Sequence, residues 1–380
     1  MIAISSAFDS GNITVVRADD PSDIQLAIRP DSGSDFYQWF HFRVTGARDA
    51  ALRFRIVNAA GAAFAPAWPG TRPVWSTDRV RWYRVDADYV DGALQWAHTP
   101  PADAIWYAYF APFSLELHQE LLGRCQQHPL VRLRRLGLTV DGRDLDVLDI
   151  GTPGPGKPVI WVIARQHPGE SMAEWWMEGF LGRLLDRDDA LARRLLDRAV
   201  FHVVPNMNPD GSVRGNLRSN AAGANLNREW HAPTAARSPE VLWVRDEMDR
   251  TGVDLCLDVH GDEELPFNFI AGPEGIPSWN DGLAASLSAF KLAYQRANPD
   301  FQVAKGYPVD PPGGANLTMC TAAVAERFRC LAMTLEMPFK DNEAAPDPEC
   351  GWSPARAARL GASALDPIHA TLPLLRPRPA

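Results

Sequence analysis

The sequence predicts two domains: an amino-terminal antiparallel β-sandwich over residues 1–113, then an α/β domain with a mixed central sheet over residues 114–380. Three observations carry this. At 380 residues the chain exceeds one ordinary domain. Its first third holds short alternating runs rich in aromatic and β-branched residues, split by Gly, Pro and Asp turns. From about Ser114 strands and helices alternate instead.

In the first third, a turn at 9–12 precedes a strand at 13–16, and strands are expected at 36–44, 52–57, 79–85 and 105–110. Their aromatic stripe reads as core, and His41 and His98 as ordinary sheet residues. An amphipathic helix at 115–122 then leads to a hairpin, 131–140 and 144–150, turning at Asp141-Gly142. The continuous apolar run 158–164 has the length of a buried strand, and Ser171 can cap a helix running to about 185. Strands are expected at 200–204, 254–259 and 330–335, and helices at 239–250, 278–296 and 354–365.

Composition limits the function. A net charge of -9 argues against nucleic-acid and anionic-membrane partners. Five scattered cysteines without a C-x-x-C pair argue against a disulfide framework and for a reducing, cytoplasmic setting. The amino terminus lacks the basic segment and apolar core of a signal peptide, and no run is long enough to span a bilayer.

The predicted strand ends carry the chemistry, where open α/β sheets place their ligands. After 158–164 comes Arg165-Gln166-His167-Pro168-Gly169-Glu170, and His167 and Glu170 can both reach one zinc ion. After 254–259 comes His260, which completes a His, Glu, His set with a position left open. His260-Gly261-Asp262-Glu263 is a second H-x-x-E, so Glu263 competes with Glu170; the clearer helix start favours Glu170. After 330–335 comes Glu336, available as a general base toward water. A long polar loop over 205–230 supplies further groups. Arg228 beside Asn227 can clamp a carboxylate, and Arg218 can stabilise an oxyanion.

In this order His-Pro-Gly-Glu, Asn208-Pro209-Asp210-Gly211, Ala224-Asn225-Leu226-Asn227-Arg228, His260 and Thr334-Leu335-Glu336-Met337-Pro338-Phe339-Lys340 resemble the landmarks of the zinc metallocarboxypeptidases. Phe8-Asp9-Ser10-Gly11-Asn12 resembles the opening of the amino-terminal β-domain of their cytosolic carboxypeptidase group. The resemblance implies one zinc ion per chain on His167, Glu170 and His260, Glu336 as base, Arg218 at the oxyanion, and Asn227 with Arg228 on the substrate's terminal carboxylate. It implies attack by zinc-bound water and release of carboxy-terminal residues from peptide or protein tails, chiefly glutamate. It points to Tyr307 as the tyrosine over the substrate carboxylate, and to Lys305, Arg327 and Arg329 as cations for an acidic side chain. One position departs: Asn225 stands where the family commonly has an Asp behind the first zinc histidine, so it should orient His167 less firmly. Two other readings fit the residues, a zinc deacylase or amidase on small N-acyl amino acids and a non-catalytic peptide-binding protein.

Overall fold

The computed structural model describes residues 2–375. Met1 and residues 376–380, the two ends of the expected domains, lie outside them. Ten strands fill the first part: β1 (Ala3–Ser5), β2 (Thr14–Arg17), β3 (Ile24–Ala27), β4 (His41–Thr45), β5 (Leu52–Ile56), β6 (Val74–Ser76), β7 (Tyr83–Arg84), β8 (Ala87–Val90), β9 (Ala93–His98) and β10 (Ala104–Ala108). They form two five-stranded sheets, ordered β1-β4-β10-β6-β7 and β2-β3-β5-β9-β8. Pairing is antiparallel except for β3 with β5. Phe40, Phe42, Phe54, Trp96 and Tyr107 fill the core, with Phe54 and Trp96 stacked at 5.0 Å. The aromatic stripe is therefore core.

Two expected strands are much shorter in the structure. Over 36–44 only His41 onward pairs, because Gln38 exchanges two hydrogen bonds with the Phe64 backbone and bends the preceding residues out of the sheet. Over 79–85 the Asp78 carboxylate accepts the Val80 and Arg81 amides at 2.8 Å, and Arg79 turns at φ 62°, leaving only Tyr83–Arg84.

The second part begins with α1 (Leu115–Cys125) and the hairpin β11 (Val131–Leu138) and β12 (Asp144–Ile150). Then come β13 (Val159–Ala164), α2 (Met172–Leu184), α3 (Ala190–Arg198), β14 (Val200–Val204), α4 (Pro209–Arg214), α5 (Pro239–Thr251), β15 (Leu255–Val259), β16 (Phe269–Ala271), α6 (Asp281–Ala297), α7 (Cys320–Phe328), β17 (Leu331–Glu336), α8 (Pro354–Ser363) and α9 (Leu365–Thr371). The sheet runs β11-β12-β14-β13-β15-β17-β16. Its centre, β14, β13, β15 and β17, is parallel, and β12, β11 and β16 add antiparallel edges.

Local chemistry sets the ends of these elements. The Ser171 side chain does not cap α2; its hydroxyl donates to the Ala111 carbonyl instead. Asn280, not Ser278, starts α6, its Oδ1 accepting the Gly282 and Leu283 amides. The expected helix at 354–365 breaks at Ala364 into α8 and α9. Helices α2 and α8 approach at Gly179 and Gly361, where an added Cβ would lie 1.8 Å from the Ala358 carbonyl oxygen and 2.0 Å from that of Trp176.

The two parts are stitched together by the segment 8–12. Asp9 accepts the Leu115 amide at the start of α1. The Ser10 amide donates to Val213 and the Asn12 side chain to the Gly215 carbonyl, both in the polar loop.

Candidate active site

β13 is buried throughout, so the chain leaving it must turn inside the protein. Arg165 makes that turn at φ 58° and is itself buried. Its guanidinium holds the Pro168 and Phe113 carbonyls and the Glu174 carboxylate. The turn is pinned from the other side by the Gly169 amide, 2.8 Å from the Leu217 carbonyl. His167 and Glu170 are thereby fixed at the end of β13, and His260 follows β15 next to it.

The three side chains meet. His167 Nδ1 lies 2.6 Å from Glu170 Oε1, His260 Nδ1 lies 2.8 Å from Glu170 Oε2, and the two Nδ1 atoms are 3.2 Å apart. Two zinc–nitrogen bonds of about 2.0–2.1 Å at a tetrahedral angle would separate their nitrogens by about 3.3 Å. The donor set therefore fits zinc. Glu263 is buried nearby but is not part of this group of mutually close donors.

The electrostatics of the three donors differ. Burial, with the Arg218 charge, pushes His167 down to about 4, which leaves it the neutral imidazole that a metal ligand must be. Burial would raise Glu170, but the two histidines draw it below the usual carboxylate range. Burial would lower His260, yet Asp258 and Glu170 raise it well above the usual histidine value.

The atoms behind the two imidazoles differ. His167 Nε2 faces the neutral Asn225 Oδ1 at 3.0 Å. His260 Nε2 faces the Asp258 carboxylate at 2.9 Å. Asp258 also accepts from Gln166 at 2.6 Å, and Gln166 in turn accepts from the Trp230 indole at 2.8 Å. Asp258, Gln166 and Trp230 are absent from the sequence expectations. Asp258 sits inside an apolar strand run with a side chain that must point at the site, which is the one signal that could have found it.

Glu336 ends β17 and is buried, with Oε2 free of any hydrogen-bond partner among the described residues. Burial pushes its carboxyl well up; His260 opposes this, while Glu170, Asp262 and Glu263 add to it. Glu336 lines a hollow of about 490 Å³ together with Asn227 and Tyr307. Asn227 Oδ1 accepts the Cys320 amide at 2.8 Å, so its NH₂ end is left for the hollow. Tyr307 packs edge-on against Phe269 and donates to Asp262. Arg228 sits beside Asn227, and its charge and that of Arg218 disfavour each other, so the two cations are close. Among the described residues neither has a carboxylate at ion-pair distance.

The three expected specificity cations separate. Lys305 lines the hollow, its ammonium 4.3 Å from the Phe267 ring centroid and 3.2 Å from the Glu343 carboxylate. Arg327 is engaged twice by Asp249, and Arg329 pairs with Glu326; neither lines this hollow. Lys291, not anticipated, does line it, 3.9 Å from Glu274.

Comparison with known proteins gives two family matches, one described as the cytosolic carboxypeptidase N-terminal domain over residues 4–110 and one as zinc carboxypeptidase over residues 119–266. A metallo-carboxypeptidase structure from Burkholderia cenocepacia superposes with a TM-score of 0.96 at 47% identity, covering 98% of this chain and 100% of that one. A metallo-carboxypeptidase from Pseudomonas aeruginosa, in complex with (2-guanidinoethylmercapto)succinic acid, gives 0.95 at 45% identity, with 98% and 100% covered. Mouse cytosolic carboxypeptidase 3 is 29% identical over 79% of this chain, which spans 33% of that protein's length.

Proposed function

Since the chain belongs to the zinc carboxypeptidases and carries the amino-terminal domain of their cytosolic group, we propose that it releases carboxy-terminal residues from peptides or proteins using one zinc ion held by His167, Glu170 and His260. It is a hydrolase of the metallocarboxypeptidase type. The observation that carries the site assignment is the convergence of three buried ligand atoms beside the unbonded oxygen of Glu336.

Bound zinc supplies a Lewis acid that polarises the scissile carbonyl and acidifies water toward a pKa of about 7. The chain's own residues do the rest. Arg228 and the Asn227 amide take the substrate's terminal carboxylate, and Tyr307 joins them by exchanging its Asp262 partner for the substrate. Arg218 faces the oxygen on which charge develops. Glu336 Oε2 accepts the proton of the attacking water and passes it to the departing amine. The products are a shortened chain with a new carboxylate and one free amino acid.

We place an acidic preference on this site because Lys291 and Lys305 line the hollow beside Glu336, and a terminal glutamate side chain would need a cation there. The relative in complex with the guanidino-substituted succinic acid is a metallo-carboxypeptidase of nearly the same length, so that compound is a ready probe of this hollow. We divide the chain at 113/114, next to the α1 cap at Ser114. A cytoplasmic setting is supported by five free cysteines and by the cytosolic relatives. No helix among the described residues is long and apolar enough to cross a membrane.

The test is zinc content together with turnover. Glu336→Gln should keep one zinc per chain and lose roughly 10²–10⁴-fold in kcat on peptides with a free terminus. Amidated peptides should resist the unmutated protein. Equal cleavage of free and amidated termini would remove the exopeptidase reading, and cleavage of N-acyl amino acids alone would replace it with an amidase. Faster release of Phe or Lys than of Glu would end the acidic preference.

A further inference from the structure

The groups that hold Arg218 come from the other half of the molecule. Asp31, in the turn after β3, is buried, and its carboxylate accepts three consecutive amides of the polar loop: Leu217 at 2.6 Å, Arg218 at 2.7 Å and Ser219 at 2.8 Å. Three N–H groups directed at one anion fix the backbone from which the Arg218 side chain departs. The turn is pressed onto the same loop farther along: a Cβ at Gly223, where φ is +76°, would lie 2.2 Å from the Gly33 carbonyl oxygen.

The guanidinium itself is held by rings. Its Cζ lies 5.4 Å from the Phe64 ring centroid and 6.0 Å from that of Phe36. An aromatic face attracts a cation without using its N–H donors. Among the described residues no side-chain N–H of Arg218 is engaged in a hydrogen bond and no carboxylate pairs with it. The charge is thus held over the Phe64 and Phe36 rings, while the donors stay free. A carboxylate partner in place of the rings would have neutralised the charge and occupied those donors.

We infer that the amino-terminal β-rich part completes the active site, with Asp31, Phe36 and Phe64 acting as positioning residues that aim Arg218 at the developing oxyanion. This rests on the reading of Arg218 given above. The bent segment 36–40, which fails to pair as a strand, is what carries the Phe36 ring to the loop.

The test compares four variants of the full chain loaded with zinc: Arg218→Ala, Phe36→Leu with Phe64→Leu, Phe36→Leu alone, and Phe36→Tyr. The double leucine variant should lose about tenfold in kcat with KM, zinc content and Tm little changed. Phe36→Leu should lose part of this, and Phe36→Tyr, which keeps the ring, should restore it. Phe36 is 38% exposed, so the single variant carries the test if the double one does not fold. If Arg218→Ala loses about 10²-fold or more but the leucine variants keep full kcat, the positioning role is wrong while the oxyanion role stands. If Arg218→Ala itself keeps full kcat, the oxyanion role is wrong, and the inference falls with it.

Discussion

At the scale of single residues, the two imidazoles of the donor set are backed unequally, by a neutral amide behind His167 and a buried carboxylate behind His260. A carboxylate behind a metal-bound histidine fixes its ring and raises its basicity, and its loss commonly costs 10–100-fold in affinity. Asp258→Asn should therefore weaken zinc binding by roughly 10–100-fold, whereas Asn225→Ala should cost less. Competition against a chelator measures both, and a larger loss for Asn225→Ala would show that charge is not what matters. The three close donors were legible in sequence because each lies within six residues of the end of a largely apolar run that reads as a buried strand. Asp258 was not, since one carboxylate within Leu255-Cys256-Leu257-Asp258-Val259 reads as strand. Nor were Asp31, Phe36 and Phe64, whose partner lies about 150 to 190 positions away, beyond any local pattern.

Among the elements, α1 and α2 meet over a buried charge cluster. His118 Nδ1 lies 2.8 Å from Glu174, and its Nε2 lies 3.8 Å from Asp146 on β12. Burial alone would lower His118, but the two carboxylates raise it to about 9. A histidine raised on folding stabilises fully below its unfolded value of about 6.5. That contribution is lost as pH rises through about 9. Unfolding at fixed temperature should show a loss on the order of 3 kcal/mol across this window, and His118→Gln should flatten it. An unchanged slope in the variant would assign the loss to other groups. Continuous apolar strands and a long amphipathic helix were read within a few residues of their true ends, as in β13, β17 and α5. The short strands β1, β3, β6 and β8 were missed because three or four residues cannot show a period. Helix α3, in a segment given no element, and α4, inside the loop read as polar, were missed because caps and packing rather than composition make them: Asp189 accepts two amides at the start of α3, and Asn208 accepts the Gly211 amide at the start of α4.

Across the whole molecule, the β-rich part and the α/β part share one continuous cluster of buried apolar side chains. Arg84 is its polar rivet. Buried on β7, it donates to the carbonyls of Phe339, Trp352 and Cys350 in the α/β part and of Arg72 in its own. Burial lowers its guanidinium to about 10. Arg84→Met would leave those carbonyls without a donor, and should cost on the order of 3 kcal/mol. Calorimetry should show a lower Tm or a transition split in two; an unaltered single transition would mean that the apolar cluster alone joins the parts. The two-part architecture was legible because the change of pattern near Ser114 is abrupt, whereas the seam between the parts was not, since its polar side chains meet backbone groups far along the chain. That seam has a consequence for the making of the protein. Asp31 leaves the ribosome some 186 residues before the amides it must hold, and contacts of such separation form late. Docking of the Asp31 turn would then trail the pairing of β13 with β15, whose residues lie about 95 positions apart, so a half-folded copy would bring His167, Glu170 and His260 together with the backbone of Arg218 still unfixed.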